Sequence, residues 1–158
     1  MKTLIVYASK YGCTADCANL LKEKLSGDIT LVGINKMPVK IDVNGYDTII
    51  IGGSVYVGRV SKNLRMFCES NLDALLKKRI GVFLCSALAD QFNNTLKNNF
   101  PILLLDNATV IKLFGSEARL EKMNFMDSMI IKTVTKGDFS SFRISYESID
   151  EFALEIAE

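Results

Sequence analysis

The sequence predicts an α/β fold in which a mostly parallel β-sheet is covered by helices on both faces. Short apolar runs rich in β-branched residues alternate with segments of helical periodicity. Such alternation produces right-handed crossovers between parallel strands. One run, residues 48–51, is almost continuously apolar, as expected for a central strand that is buried on both sides.

Five segments are predicted to be strands because each combines apolar character with β-branched residues. In chain order these are residues 4–7, 29–34, 48–51, 80–85 and 109–114. The segments between them have the spacing of amphipathic helices, and these are residues 15–25, 61–70, 72–77, 89–98 and 149–157. Gly27 and Pro101 follow the first and fourth of these helices, where such residues favour a helix end.

The length of the chain and its net charge limit the classes of function that the protein can have. The chain has 158 residues, of which 49% are apolar, so we predict one domain, residues 1–158, with a substantial core. The 19 basic and 18 acidic residues give a net charge of +1, which provides no general attraction to nucleic acid. We therefore expect no nucleic-acid partner, and any anion must be bound locally.

The first residues and the cysteines indicate the compartment. Met1 is followed almost at once by the first predicted strand, and no apolar run approaches the roughly 20 residues of a membrane-spanning helix. We expect a cytoplasmic protein. Cys13, Cys17, Cys68 and Cys85 have no zinc-ligand spacing, so we expect reduced thiols without a disulfide. We expect Cys13 and Cys17, four positions apart at a helix start, to pack as small buried side chains; the alternative is a redox thiol whose pKa is lowered by the helix dipole.

The first strand is followed at once by a turn rich in hydroxyl groups, residues 9–14, and then by a helix. The N-terminus of a helix presents unpaired N–H groups and the positive end of its dipole, which together bind phosphate. Gly12 lets the backbone approach an anion, and Lys10 adds charge at the rim. Hydroxyl donors are available at Ser9, Tyr11 and Thr14. The alternative is an ordinary turn in which a hydroxyl only caps the helix.

Other motifs that bind phosphate or carry out hydrolysis are absent from the sequence. The segment GGSVY at residues 52–56 falls one residue short of the G-x-S-x-G nucleophile motif, and the chain has no histidine for a catalytic triad. Neither G-x-x-x-x-G-K-[ST] nor G-x-G-x-x-G occurs. A phosphoacceptor receiver domain needs aspartates where this chain has Ala8 and Gly53.

Two segments of the sequence, residues 9–14 and residues 49–59, together resemble the cofactor loops of flavodoxins. SKYGCT matches the phosphate loop of that family in order, and IIIGGSVYVGR looks like the strand and second loop that flank the flavin ring. The closest resemblance is to the flavodoxin-domain subgroup that includes menaquinone-dependent protoporphyrinogen oxidase. FGSEARLEKMNFMDSMIIKTVTKG and ISYESIDEFALEI look like the long insertion and the last helix of that subgroup. The resemblance covers essentially the whole chain.

This resemblance implies a flavodoxin-like three-layer sandwich with a five-stranded parallel sheet of order 2-1-3-4-5. It also implies that the protein binds FMN noncovalently and carries electrons between redox partner proteins. The matching cofactor-binding positions are Ser9, Lys10, Tyr11, Gly12, Cys13 and Thr14 in a first loop, Gly53, Ser54, Val55, Tyr56 and Gly58 in a second, and Ser86, Ala87 and Leu88 in a third. We expect the first loop to hold the phosphate without depending on an ion pair.

The sequence departs from the family pattern in two loops. The second loop has Tyr56 where the oxidase subgroup often has a basic or imidazole side chain, and the chain has no histidine. The third loop lacks the aromatic residue that stacks on the flavin in many flavodoxins, which leaves Tyr56 as the aromatic candidate for stacking. In the second loop, glycines including Gly53 and Gly58 are expected to let the backbone approach the flavin ring. Two alternatives stay open: an FMN-dependent oxidoreductase acting on a porphyrinogen, a quinone or a nicotinamide, and a flavin-free interaction module.

The insertion at residues 115–137 contains one more predicted helix. Asn124 is a suitable N-cap with Asp127 in the first turn, and Gly137 is a suitable terminator. We expect its apolar face to pack on the sheet, and that face consists of Phe125, Met126, Met129, Ile130, Thr133 and Val134. Ile131 lies outside it. The alternative is that the surface between Arg119 and Lys136, flanked by lysines, contacts a partner, a second subunit or a membrane surface.

Overall fold

A computed structural model describes residues 1–35 and 40–158. Its five strands form one sheet in the order β2-β1-β3-β4-β5, and every neighbouring pair is parallel. The strands are β1 (Lys2–Ala8), β2 (Asp28–Gly33), β3 (Thr48–Ser54), β4 (Arg79–Cys85) and β5 (Val110–Leu113). The predicted fold class and strand order are thereby confirmed. The central strand is β3, and its first six residues are buried, as the apolar run predicted.

Seven α-helices connect and cover the strands in the described part of the chain. They are α1 (Cys13–Lys24), α2 (Lys62–Ser70), α3 (Leu72–Leu75), α4 (Phe92–Asn99), α5 (Ile102–Asp106), α6 (Phe125–Thr135) and α7 (Tyr146–Ala157). The short helix α5 was not predicted. Pro101 immediately precedes it, and the Pro101 carbonyl accepts hydrogen bonds from Leu104 and Leu105, so this proline both follows α4 and starts the next helix.

Each face of the sheet carries its own apolar core. On one face, α1 and α7 cover a cluster that includes Ile5 and Ile50. At its centre Phe83 and Phe114 stack with ring centroids 4.5 Å apart, and Phe152 of α7 meets both rings edge-on. The helices α2 to α5 contribute to the core on the other face, which includes Leu64. The sheet is thus the middle of three layers, which leaves the loops at its carboxyl edge to form a site.

The helix of the insertion contradicts the expectation that its apolar face packs on the sheet. Phe125 is 80% exposed and Val134 is 61% exposed, and the other members of that face, Met126, Met129, Ile130 and Thr133, are also exposed. The inward side instead carries Asp127, which is 5% exposed, and Ile131, which is partly buried. The predicted ends of this helix are confirmed: Asn124 Oδ1 accepts from Asp127 N at 2.8 Å, and Gly137 has a positive φ.

Two further observations concern the described residues as a whole. No helix within residues 1–35 and 40–158 is both long and apolar enough to cross a membrane. All four cysteines are buried free thiols.

Candidate functional site

Three loops follow the carboxyl ends of β1, β3 and β4 and meet at one edge of the sheet. We call residues 9–14 the first loop, residues 53–59 the second loop and residues 86–88 the third loop. The second loop is joined to the end of β4 by a hydrogen bond from Val55 N to the Cys85 carbonyl, 3.1 Å long. The first loop is tied to the end of β2, because Ser9 N donates to Asn35 Oδ1 at 2.7 Å. All the predicted site residues therefore lie in these three segments, which include the end of β3 and the start of α1, at the edge where parallel sheets bind ligands.

The first loop leads into α1 without a side-chain cap. Gly12 is the N-cap residue with a φ of +93°, and its N–H donates to Ser9 Oγ at 3.1 Å. The Oγ1 atom of Thr14 is buried and has no hydrogen-bond partner in residues 1–35 and 40–158. A buried hydroxyl without a partner is costly, and the amide groups of the first turn have no partners within the helix. This helix start therefore has free donors at the position where the sequence predicts an anion.

A strained turn forms the tip of the second loop. Tyr56 N donates to the Arg59 carbonyl at 2.8 Å, and Arg59 N donates to the Tyr56 carbonyl at 3.0 Å. The two residues between them both have positive φ, +48° for Val57 and +70° for Gly58. A β-branched residue rarely adopts that conformation. The turn therefore carries backbone strain, and Val57 projects into solvent with 71% of its surface exposed.

The other end of the second loop is held by a buried amide side chain. Asn99, the last residue of α4, accepts a hydrogen bond from Val60 N on its Oδ1 atom at 3.1 Å. Its Nδ2 group donates to the carbonyl oxygens of Gly58 and Thr95, at 2.9 and 2.8 Å. A single side chain thus fixes the return of this loop to the protein body.

The structure gives Gly53 a packing role. A Cβ atom added to Gly53 would lie 2.9 Å from Leu64 Cδ2 and 3.3 Å from Val60 Cγ1, so a larger residue would push against α2. From the sequence we expected Gly53 to let the backbone approach a flavin ring. The packing against Leu64 and Val60 is a separate reason why this position requires a glycine.

The third loop borders a cavity of about 700 Å³. Within the loop, Leu88 N donates to Ser86 Oγ at 3.2 Å, and the Leu88 side chain is exposed. Ser86 and Ala87 line the cavity together with residues of β5 and of the segment before α7, among them Arg143. No residue of the first or second loop is among its lining residues.

A carboxylate from the insertion joins the first two loops. Asp127, in the first turn of α6, lies 2.8 Å from Lys10 Nζ. Tyr11 and Tyr56 each donate a phenolic hydrogen bond to one oxygen of this carboxylate. The Lys10 ammonium also lies 3.4 Å from the centroid of the Tyr56 ring. One face of Tyr56, the candidate for flavin stacking, is therefore covered by Lys10 in this structure.

These contacts shift the ionisation of the cluster. Hydrogen bonds from Lys10, Tyr11 and Tyr56 lower the pKa of Asp127 from 3.8 to about 2. Burial and the hydrogen bond to Asp127 raise the pKa of Tyr11 to about 12, and that carboxylate also raises the pKa of Tyr56. At neutral pH the cluster thus consists of one carboxylate, one ammonium and two neutral phenols. We call these four residues the Asp127 clasp.

Comparison with known proteins identifies the family. A family model described as a flavodoxin domain matches residues 4–142. The chain belongs to the flavodoxin-domain family. The match includes all three loops of this flavodoxin domain and its insertion. None of the curated proteins compared with the sequence is a significant match.

Solved structures are similar to this flavodoxin domain over nearly its whole length. A flavodoxin, WrbA-like protein from Agrobacterium tumefaciens is 19% identical with a TM-score of 0.61, over 99% of this chain and 97% of that chain. Oxidised Flavodoxin 2 from Bacillus cereus is 22% identical with a TM-score of 0.59, over 99% of this chain and 98% of that chain. At such low identities the similarity shows a shared fold.

Three thiols, one of them from the first loop itself, meet in the interior of this flavodoxin domain. The Sγ atoms of Cys13, Cys17 and Cys85 all lie within 4.8 Å of one another, and the three side chains are buried. The pKa of Cys13 is lowered, mainly by a hydrogen bond with Cys17 and to a smaller extent by one with Cys85. The hydrogen bond with Cys13 in turn raises the pKa of Cys17. Cys13 and Cys17 pack as the sequence predicted, and the fold brings Cys85 from β4 into the same buried cluster.

Sequence reasoning missed Asp127 and Arg119 as residues of the site. Asp127 was assigned to the first turn of a helix, but no local pattern indicates that this helix places it beside Tyr11, which is 116 positions away. Arg119 lies against the first loop and donates from Nη1 to the Tyr11 carbonyl at 3.3 Å. The sequence shows only that Arg119 is a basic residue of the insertion, and a positive charge alone does not indicate which residue it will contact.

Proposed function

We propose that this flavodoxin-domain protein binds FMN at its three loops and carries electrons between redox partner proteins. The observation that supports this most directly is the start of α1, where the Thr14 hydroxyl is buried without a hydrogen-bond partner in residues 1–35 and 40–158 and no side chain caps the helix. A phosphate is the chemical group that such a helix start binds best. Membership of the flavodoxin-domain family favours FMN as the source of that phosphate.

Each loop would have a distinct part in holding the cofactor. The first loop would bind the phosphate through Thr14 and through amide groups of the first turn of α1. The second and third loops would border the flavin ring with backbone groups, Tyr56 and the apolar side chain of Leu88. FMN supplies the redox chemistry when bound, while the protein sets its position and its exposure to water.

Flavin binding itself separates this proposal from a flavin-free interaction module. The purified protein, stripped of ligand and mixed with FMN, should acquire a flavin absorbance spectrum that bleaches with dithionite. Quenching of FMN fluorescence would give the affinity. Failure to bind FMN would contradict the proposal and favour the interaction module.

Replacing Thr14 by valine should change stability and FMN affinity in opposite directions. Valine keeps the shape and removes a buried hydroxyl that has no partner in the described structure, so the apoprotein should gain about 1 kcal/mol in its free energy of unfolding. FMN affinity should fall by roughly 1–2 kcal/mol, the scale of a hydrogen bond to a charged group. Chemical denaturation and fluorescence titration measure the two effects.

Thr3 provides a matched control for this substitution. Its Oγ1 atom is also buried and without a partner in residues 1–35 and 40–158, but Thr3 lies at the start of β1, at the opposite end of that strand from the first loop. Thr3→Val should therefore stabilise the apoprotein to a similar extent and leave FMN affinity unchanged. Equal FMN affinities for wild type and Thr14→Val would contradict a phosphate site at Thr14.

The finer resemblance to the protoporphyrinogen oxidase subgroup is a narrower proposal. None of the relatives named above is described as an oxidase of this type, so the insertion and the last helix, both identified by sequence resemblance, are its support. Anaerobic mixing of the reduced or oxidised holoprotein with a porphyrinogen, a quinone, NADH or NADPH would test it. Rapid change of the flavin spectrum with one of these compounds would favour an oxidoreductase over an electron carrier.

The exposed apolar side of α6 is the surface that we propose for a redox partner protein. It combines Phe125, Met126 and Val134 with the exposed Lys132 and the neighbouring Lys136. The same helix places Asp127 against the first and second loops, so a protein docked there would lie near the flavin. The lysines favour a partner with an acidic surface around an apolar centre.

Reduction of the holoprotein by reduced ferredoxin, a small acidic electron-transfer protein, provides a probe of this surface. Met126→Ser and Lys132→Glu should each slow the second-order reaction several-fold, and Lys132→Glu should weaken its dependence on salt. Leu154→Ser, at an exposed apolar position of α7, is the control and should have no effect. Equal rates for all variants would contradict the proposal. A dimer in solution, or binding to anionic lipid vesicles, that depends on Met126 would assign the surface to a second subunit or to a membrane instead.

A further inference from the structure

The segment after β5 places two cationic side chains over the first loop. A Cβ atom added to Gly12 would lie 2.7 Å from Arg119 Nη1 and 3.8 Å from Lys122 Nζ. The same Arg119 nitrogen donates to the Tyr11 carbonyl. The glycine at this position therefore leaves room for a guanidinium group, in addition to permitting the positive φ. Both cations come from the insertion, which is far from the first loop in sequence.

Two carboxylates fix the guanidinium from its outer side. Arg119 Nε and Nη2 donate to Glu117 Oε2 at 3.0 and 2.8 Å, and Nη2 also donates to Asp16 Oδ2 at 2.6 Å. The Arg119 side chain is 14% exposed, whereas those of Asp16 and Glu117 are 58% and 43% exposed. The carboxylates thus lie toward solvent, and Nη1 faces the loop.

The inner side of this arrangement is suited to an anion. A cation near the N-terminus of a helix is repelled by the helix dipole, whereas an anion between them is attracted by both. The uncapped first turn of α1 and the buried Thr14 hydroxyl offer further donors at the same place. Lys10 is a third basic residue near this loop, and its ammonium is paired with Asp127 of α6.

We infer that Arg119, held by Asp16 and Glu117, is a ligand of the FMN phosphate and that Lys122 adds positive charge to the same site. This inference rests on the proposed function and deepens it. It also differs from the expectation that the phosphate is bound without an ion pair, since the guanidinium reaches the loop from the insertion. FMN affinity should then fall with rising salt more steeply than riboflavin affinity, because riboflavin lacks the phosphate.

The test compares FMN with riboflavin as ligands of the full-length apoprotein at low and high potassium chloride. Arg119→Gln should weaken FMN binding about tenfold or more, the range for a hydrogen bond between charged groups. Riboflavin affinity should stay unchanged, and the salt dependence of FMN binding should become flatter. Lys122→Gln should act in the same direction to a smaller extent. Lys97→Gln removes one positive charge from an exposed position of α4 and is the control for net charge.

The outcomes separate this inference from the proposed function. Unchanged or tighter FMN binding by Arg119→Gln would overturn the inference while leaving the proposed function intact. An equal loss for FMN and riboflavin would overturn it too, because Arg119 would then support the site only as a whole. If the wild-type protein binds neither flavin, the proposed function fails and the inference fails with it. Thermal denaturation of each variant would verify that it is folded.

Discussion

The helices α6 and α7 have similar lengths but are attached to the protein in opposite ways. Helix α7 buries Ile149, Phe152, Ala153 and Ile156 against the sheet and leaves its polar side in water. Helix α6 turns Asp127 inward and leaves its largest apolar side chains exposed. Apolar burial positions α7, whereas hydrogen bonds and an ion pair position α6.

Helix α7 therefore belongs to the structural core of the protein, whereas helix α6 belongs to the candidate site. Loss of an apolar contact in α7 opens a cavity in the core, which affects the whole fold. The Asp127 clasp joins α6 to the first and second loops, so its loss should affect the insertion and the site more than the sheet. The contrast predicts how sensitive each helix is to substitution and to pH.

The largest effect is expected from Phe152→Ala in α7. Phe152 is fully buried and contacts Phe83 and Phe114 edge-on, so its removal should lower the free energy of unfolding by about 3–5 kcal/mol. Leu154→Ala, two positions later and 69% exposed, is the matched control and should have little effect. Chemical denaturation measures both. Similar effects for the two variants would contradict apolar burial as the attachment of α7.

An intermediate effect is expected from Asp127→Asn in α6. The asparagine retains hydrogen-bonding capacity but loses the charge that binds Lys10, and roughly 1–2 kcal/mol of stability should be lost, allowing for solvent screening near the surface. Amide hydrogen exchange should increase mainly in α6 and the first two loops. Asp73→Asn, at an exposed position of α3, is the control. Protection that falls uniformly over the whole sheet would contradict a local role for the clasp.

The contribution of Asp127 should also depend on pH. Its pKa is lowered from 3.8 to about 2, so its stabilising effect is fully present above about pH 4 and is lost as the pH falls through about 2. The difference in stability between wild type and Asp127→Asn should therefore be constant from pH 7 to about pH 5 and shrink between pH 4 and pH 2. A difference that is the same at pH 7 and pH 2 would show that the charge of Asp127 is not what holds α6.

The smallest effect is expected from Met126→Ser on the outer side of α6. Met126 is 71% exposed, so the free energy of unfolding should change by less than about 0.5 kcal/mol. Ile131→Ser, on the inward side of the same helix, should cost more because Ile131 is partly buried. The reverse order would mean that the outer side is covered in solution, and gel filtration of the wild-type protein would then show a larger assembly.

Local patterns in the sequence were sufficient for the sheet and for the start of α1. The apolar run at residues 48–51 predicted the central strand, and the turn at residues 9–14 predicted a helix start, while the anion site there stays a prediction. The orientation of α6 could not be predicted in the same way. Its periodicity identifies the apolar side, but that side faces the core only when apolar burial attaches the helix.

Long-range contacts explain the remaining omissions at the site. Asp127 and Tyr11 are 116 positions apart, and Arg119 and Gly12 are also brought together only by the fold. Cys85 joins Cys13 and Cys17 for the same reason. Each of these residues has an ordinary local role in a helix, a strand or a charged segment. Their shared location becomes visible only when the carboxyl ends of the strands and the insertion are placed together.

The Asn99 amide fixes the end of the second loop that returns to the protein body, but it does not contact the tip of that loop. Its hydrogen bonds to Val60 and Gly58 attach the last residues of the loop to the end of α4. The tip at Val57 has no such anchor from Asn99 and keeps its strained turn. The second loop is therefore held from two directions, by α4 through the Gly58 carbonyl and by α6 through the Tyr56 hydroxyl, and α4 lies on the opposite side of the sheet from α1.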